Sequence, residues 1–198
     1  MDMINVKING MAVSVPKGST VLEAARIAGV EIPTLCFLKE INEIGACRIC
    51  MVEVSEGGRP ARLVTACVYP VSEGMEVTTN SLKVQKSRKT TLEMILSTHD
   101  RKCLTCVRST NCELQKLCRD YGIEDAGKYD GFKPEYAIDA SAPHLVRDNN
   151  KGILCRRCVA ACKQQLVSVI GANDRGIDTH IACAFELPLD STPCVSCG

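Results

Sequence analysis

Between His99 and Cys112, four side chains able to bind soft or borderline metals fall within fourteen residues, separated by three, two and five others. Cys103 and Cys106 form a Cys-x-x-Cys pair, in which two thiolates converge on one metal centre across a tight turn. His99 upstream and Cys112 downstream can close the same site. Zinc and iron–sulfur clusters both accept such a set. A lone histidine ending a helix is usually an ordinary polar residue. Here, however, it opens a cysteine run in a chain with fourteen cysteines, and neutral imidazole is a common metal ligand.

Two further constellations follow the same logic. Cys36, Cys47, Cys50 and Cys67 are separated by ten, two and sixteen residues. The segment Gly45-Ala46-Cys47-Arg48-Ile49-Cys50 is a compact loop whose small residues let backbone N–H groups approach cluster sulfurs, which helps set a reduction potential. The plant-type ferredoxin spacing has four residues before its Cys-x-x-Cys, so the ten seen here depart from it. Near the end, Cys155, Cys158 and Cys162 fit the second, third and fourth places of a bacterial ferredoxin run, and Gly152 occupies the first. Cys194 and Cys197 begin a second run just before Gly198. In two-cluster ferredoxins the fourth cysteine of each run serves the other cluster. Cys155 and Cys158 would then share one incomplete 4Fe–4S site with Gly152 in a ligand slot. Cys162, Cys194 and Cys197 would hold three corners of another. Because the sequence stops inside this second run, the C-terminal domain is expected to be truncated. Cys118 and Cys183 fall outside all the sets and are expected to be buried core thiols.

Composition agrees with metal sites. A chain of 198 residues with no tryptophan and only 4% aromatics has few large side chains for a core, so small modules need another staple. The N-terminus runs straight into an alternating strand. No signal peptide and no membrane-spanning apolar run is visible, which leads to the expectation of a cytoplasmic protein with reduced cysteines. A net charge of +1 gives no reason to expect nucleic-acid binding. No nucleophile–base set, phosphate-binding glycine loop or flavin motif appears, so no catalytic residue is assigned.

The elements that must position these ligands read as α+β. Alternation of Ile4, Val6 and Ile8, then Met11, Val13 and Val15, around Asn9-Gly10 predicts a hairpin over residues 3–15. Ser19 or Thr20 can cap a helix from Val21 to Ala28, with Glu23 in its first turn and Gly29 at its end. This is the opening of a β-grasp fold, with later strands expected at Cys50–Val54, Leu63–Val68 and Met75–Thr78. A helix over 81–98 has Leu82, Val84, Leu92, Met94, Ile95 and Leu96 as its apolar members and Lys83, Lys86, Arg88 and Lys89 on its surface. A short helix follows Cys112 and ends at Gly122. The expected organisation is a β-grasp 2Fe–2S ferredoxin domain (1–79), a small helical His-Cys-Cys-Cys 4Fe–4S domain (80–121), a linker (122–143) and a bacterial-ferredoxin-like domain (144–198).

The succession of these three cysteine sets resembles the N-terminal iron–sulfur region of multi-cluster, NAD(P)-linked FeFe-hydrogenase catalytic subunits, often of the electron-bifurcating kind. It is similar as well to the large cluster-bearing subunit of complex I, the diaphorase small subunit of bidirectional hydrogenases, and some NAD-linked formate dehydrogenases. The resemblance covers essentially the whole chain. It implies an electron relay between a flavin or NAD(P)H-oxidising partner and a catalytic site such as an H-cluster. The partners it implies are a flavin/NAD(P)H-binding diaphorase subunit and a small thioredoxin-like 2Fe–2S subunit, with ferredoxin as a further candidate. Arg48, Arg101, Lys102, Arg108, Arg156 and Arg157 lie next to ligands, where positive charge would favour the reduced state. The rival from another class is a structural zinc subunit whose cysteines never cycle.

Overall fold

The computed structural model describes residues 2–198, which group into two compact units. The first comprises the chain through Phe37, Glu43–Leu92 and Cys112–Glu124; the second comprises Leu38–Asn42, Glu93–Asn111 and Asp125–Gly198.

In the first unit, strands β1 (Met3–Ile8) and β2 (Met11–Pro16) form the expected hairpin. Asn9 and Gly10 both take positive φ, 50° and 85°, as a two-residue turn matching the strand twist requires. Helix α1 (Val21–Ile27) starts at a capping box: Thr20 Oγ1 accepts the Glu23 N–H at 3.3 Å and Glu23 Oε2 accepts the Thr20 N–H at 2.8 Å. Its Val21, Leu22, Ala24 and Ala25 are buried against the sheet. Strands β3 (Met51–Ser55), β4 (Arg62–Thr65) and β5 (Glu76–Thr78) complete a five-stranded sheet in the order β2-β1-β5-β3-β4. β1 and β5 pair in parallel and every other neighbour is antiparallel. This is a β-grasp sheet, filled by Ile8, Val15, Leu22, Val52 and Met75, each fully buried and each stabilising the fold by about 2 kcal/mol. The strand expected to run to Val68 stops at Thr65. There the Thr65 carbonyl accepts the Val68 and Tyr69 N–H groups, at 3.3 and 3.1 Å, and the resulting turn presents Cys67.

Helix α2 (Leu82–Thr98) matches its expected span. Of its apolar members Val84, Leu92 and Leu96 are buried, whereas Leu82 and Met94 are exposed. Arg88 corrects the surface assignment: it is 3% exposed and hydrogen-bonded inside the unit. Helix α3 (Glu113–Asp120) buries Leu114 and Leu117, and Cys118 is half-buried where a buried thiol was expected. Cys118 sits one position round from the Leu114/Leu117 stripe, so the helix turns it partly outward.

In the second unit, residues 125–143 carry no helix or strand; a single bridge pairs Asp139 with Arg147. Helix α4 (Arg157–Gln164) is followed by strands β6 (Ile170–Asn173) and β7 (His180–Cys183), paired antiparallel. Cys183 is fully buried and packs with Ala142 and Leu189, as expected of a core thiol. Among the described residues no helix is long and apolar enough to cross a membrane.

Candidate metal centres

Three segments of the first unit bring four thiols together. Cys36 follows the chain that leaves α1, Cys47 and Cys50 come from the loop leading into β3, and Cys67 from the turn after β4. The Sγ atoms of Cys50 and Cys67 are 3.3 Å apart, and Cys36 is within hydrogen-bonding reach of both Cys47 and Cys67. Cys36, Cys50 and Cys67 are each 1% exposed and Cys47 is half-buried. The four share protons unequally. The Cys47 and Cys67 thiols hold Cys36 far below the usual thiol range, and the Cys67 thiol pulls Cys50 down to about 7. Hydrogen bonding to these thiolates, and burial, push Cys47 and Cys67 well upward. Backbone N–H groups of Cys47 and Ala46 add to the stabilisation of Cys36, and those of Ile49 and Leu35 act on Cys47. Sulfurs met by amides in this way are a donor set that could hold a cationic centre, and binding one there would release the remaining thiol protons.

The loop geometry explains the small residues. Gly45 takes φ of +61°, and a Cβ there would lie 3.2 Å from Val68 Cγ2. Arg48, between Cys47 and Cys50, is also left-handed (φ 57°) and reaches Thr65 Oγ1 at 3.5 Å. The Cys67 turn is tied down by the Ala66 N–H to the Cys50 carbonyl (3.0 Å) and by the Leu22 N–H to the Ala66 carbonyl (2.9 Å). Capping α1 therefore also anchors the turn that carries Cys67.

In the second unit, His99 directly follows α2. Its Nδ1 is buried with no hydrogen-bond partner, while the ring's bond to the Gly152 backbone opposes a pKa that burial lowers. A neutral imidazole with one orphaned nitrogen suits a metal ligand oriented through its other side. Cys103 opens a single helical turn, Cys103–Thr105, and its carbonyl accepts the Cys106 N–H at 3.2 Å. Arg101 is held by Asp130 and the Ala126 carbonyl, and Lys151 pairs with Asp100 at 2.7 Å. Cys112 belongs to the first unit, where it caps α3 and its Sγ accepts the Gln115 N–H at 3.5 Å.

The C-terminal cysteines line a common space. Cys158, Cys162, Cys194 and Cys197, with Gly152, border a cavity of about 340 Å³ whose other walls include Val169, Ile170, Ile181 and Leu189. Residues Leu154, Arg156 and Ser196, inside the Gly152–Cys158 and Cys194–Cys197 loops, take positive φ, which is costly away from glycine and common where a backbone must wrap a site. The Cys155 carbonyl accepts the Asn42 side-chain N–H at 3.0 Å. Sequence spacing assigned Cys158 and Cys162 to different clusters; the cavity places both on its wall, together with Cys194 and Cys197.

A family model described as a 2Fe-2S iron-sulfur cluster binding domain matches residues 1–82, and one described as the NADH-ubiquinone oxidoreductase-G iron-sulfur binding region matches 88–126. The chain is 42% identical over 204 residues to the NADP-reducing hydrogenase subunit HndD of Solidesulfovibrio fructosivorans, covering all of this chain and 34% of that one. It is 35% identical over 190 residues to the NADH-ubiquinone oxidoreductase 75 kDa subunit of Reclinomonas americana, covering 96% of this chain and 27% of that one. It thus spans about a third or less of these curated relatives. A chain in the crystal structure of an NAD+-reducing NiFe-hydrogenase in the H2-reduced state superposes with a TM-score of 0.88 at 32% identity, over 98% of this chain and 80% of that chain.

Proposed function

The chain belongs to the family of NADH-quinone oxidoreductase G-like iron–sulfur regions, in which a 2Fe–2S ferredoxin domain precedes a 4Fe–4S binding region, and on that premise we propose that Cys36, Cys47, Cys50 and Cys67 hold the 2Fe–2S cluster and His99, Cys103, Cys106 and Cys112 the 4Fe–4S cluster. It is an electron-transfer module of the kind carried by NAD(P)-linked hydrogenase and complex I-like subunits. When bound, such clusters accept and release single electrons. The chain's own residues bind them, aim amides at their sulfurs and exclude water from three of the four 2Fe–2S ligands.

The observation that carries this function is the convergence of four thiols from three separate segments at the edge of the β-grasp core. We further propose Cys162, Cys194 and Cys197 as three ligands of a second, incomplete 4Fe–4S site, and Cys155 and Cys158 as two ligands of a third, also incomplete, beside Gly152; any cluster on these two sites is labile. The relay would run between a flavin-bearing, NAD(P)H-oxidising subunit, assisted by a small thioredoxin-like 2Fe–2S subunit or a ferredoxin, and a catalytic site in the parent enzyme. The similarity to an NADP-reducing hydrogenase subunit favours a hydrogenase, with an H-cluster as the electron acceptor or donor. The similarity to a ubiquinone-linked subunit supports a complex I-like parent as the second candidate, and an NAD-linked formate dehydrogenase is the third.

Anaerobic purification tests the module itself. The expected product is brown, absorbs broadly in the visible, and retains about six irons per chain through gel filtration, from one 2Fe–2S and one 4Fe–4S cluster. A colourless protein containing zinc and no acid-labile sulfide would replace the relay by a structural role.

A further inference from the structure

The most heavily buried charged side chain of the first unit plays no part in ligation. Arg88 as a whole residue is 3% exposed. Its Nε and Nη2 donate to the Met51 carbonyl at 3.0 and 2.6 Å, and its Nη1 donates to Tyr121 Oη at 3.0 Å. Both acceptors are neutral. A cation withdrawn from water onto neutral acceptors is unfavourable unless negative charge stands nearby.

The position of Met51 indicates where that charge is. Met51 directly follows Cys50, so a single peptide unit separates the carbonyl that Arg88 grips from a candidate cluster ligand, with consecutive Cα atoms about 3.8 Å apart. Four thiolates around two ferric ions and two sulfides make a dianion, and accepting one electron makes it a trianion. The electron comes from the NAD(P)H-oxidising partner, and no bond forms or breaks. Lys83 is paired with Glu53 of β3 at 3.4 Å, and Arg48, between Cys47 and Cys50, is exposed, where solvent and salt screen it. Arg88 is shielded from both.

We propose that Arg88 is the internal counter-charge of the 2Fe–2S site, holding its reduction potential up by stabilising the reduced state; this rests on Cys36, Cys47, Cys50 and Cys67 being the ligands of that cluster. Arg88 touches no ligand thiol in its hydrogen bonding, so it acts as a positioning and electrostatic residue. The alternative is a purely structural staple that fixes the start of β3 to the C-terminal end of α3. A staple changes stability, whereas a counter-charge changes potential.

EPR-monitored redox titration of the full chain with its clusters in place separates the two. The unaltered chain must first show a reduced 2Fe–2S signal that disappears in Cys67→Ser; its absence would refute the cluster assignment itself. Given that signal, Arg88→Gln should shift the 2Fe–2S midpoint to more negative potential while the 4Fe–4S midpoint stays in place. Arg88→Lys, which keeps the charge and loses the fork, should stay near the original midpoint. Tyr121→Phe removes one hydrogen bond and no charge, and should lower thermal stability with no change in midpoint. If Arg88→Gln loses the cluster while Arg88→Lys keeps it, the requirement is again for charge. An unmoved midpoint in Arg88→Gln, or cluster loss in both Arg88 variants, would reduce Arg88 to a staple and overturn the proposal.

Discussion

The Sγ atoms of Cys50 and Cys67 stand 3.3 Å apart although sixteen residues, including all of β3 and β4, separate them in sequence. The β3–β4 pairing produces this meeting: Met51 lies opposite Thr65, so the residue before β3 and the turn after β4 emerge together. Replacing Cys67 by Ser should therefore cost the 2Fe–2S site alone. Iron content should fall by about two per chain and the 4Fe–4S signal should persist. Simultaneous loss of both clusters on iron analysis and EPR would contradict independent ligand sets.

Gly45 carries the loop that presents Cys47. Its φ of +61° disfavours any side chain, and the Cβ of alanine would press on Val68 Cγ2 at 3.2 Å. Gly45→Ala should destabilise the first unit by about 1–3 kcal/mol and raise the rate of 2Fe–2S loss in air. Thermal unfolding followed with the visible absorption of the cluster checks both; an unchanged melting temperature would show that the loop relaxes freely.

Much of this was legible because local chemistry decides it. Asn9-Gly10 can scarcely be anything but a tight hairpin turn, Thr20 with Glu23 is a capping box, and cysteine spacing marks the loops whose thiols meet beside the β-grasp core. Arg88 was not legible. It lies in a helix among lysines, and its burial depends on a carbonyl contributed by Met51, 37 residues earlier. The same limit applies to Cys118, since one step round a short helix separates a buried position from a half-buried one. The strands β6 and β7 are short, and Ile170-Gly-Ala-Asn173 alternates too weakly to announce a strand. The common cavity of Cys158, Cys162, Cys194 and Cys197 arises from packing between segments that spacing rules treat separately.

As the proposed fourth ligand of the 4Fe–4S cluster, His99 should act on that cluster's potential. Imidazole is neutral where thiolate is anionic, so a histidine ligand raises a cluster's potential, as in Rieske centres. His99→Cys should keep a 4Fe–4S EPR signal and move its midpoint negative. Identical midpoints and spectra in His99→Cys and His99→Ala would remove His99 from the ligand set.

His180 supplies a pH dependence in the second unit. It is 8% exposed, and although burial opposes its charge, the Asp178 carbonyl at 2.8 Å and Glu186 Oε2 at 3.0 Å outweigh this and raise its pKa. Asp174 lies 3.8 Å away and Tyr136 stacks at 4.6 Å. A raised folded-state pKa means that the contribution is fully present below the unfolded value of about 6.5 and is lost as pH rises through the folded value. Thermal stability should therefore fall from slightly acidic to mildly alkaline pH, and His180→Gln should flatten that part of the profile. A slope that survives the substitution would place the titration elsewhere.

Gly152 offers the strictest test of the C-terminal ligand assignment. It stands in the slot where a ferredoxin run has its first cysteine, and its backbone does not exclude a side chain. Its φ is −72°, within the range any L-residue adopts. A Cβ there would meet only the Asn149 carbonyl, its oxygen at 3.2 Å and its carbon at 3.9 Å, so a shift of a few tenths of an ångström admits cysteine. The Gly152 N–H bond to Asn149 O at 3.0 Å is a backbone interaction that substitution leaves intact. In a longer chain supplying the remaining cysteines of the second run, the site on Cys155 and Cys158 would have only three thiolates, leaving one iron open to solvent and prone to loss. That chain should show a three-iron EPR signal after brief air exposure. Gly152→Cys should abolish it and add a reduced 4Fe–4S signal, with little change in melting temperature. If the longer chain with Gly152 already holds two stable four-iron clusters in this domain, another residue completes the site. Cys183 would then have to leave its packing against Ala142 and Leu189, and Cys183→Ala, otherwise a mild core change, would cost a cluster.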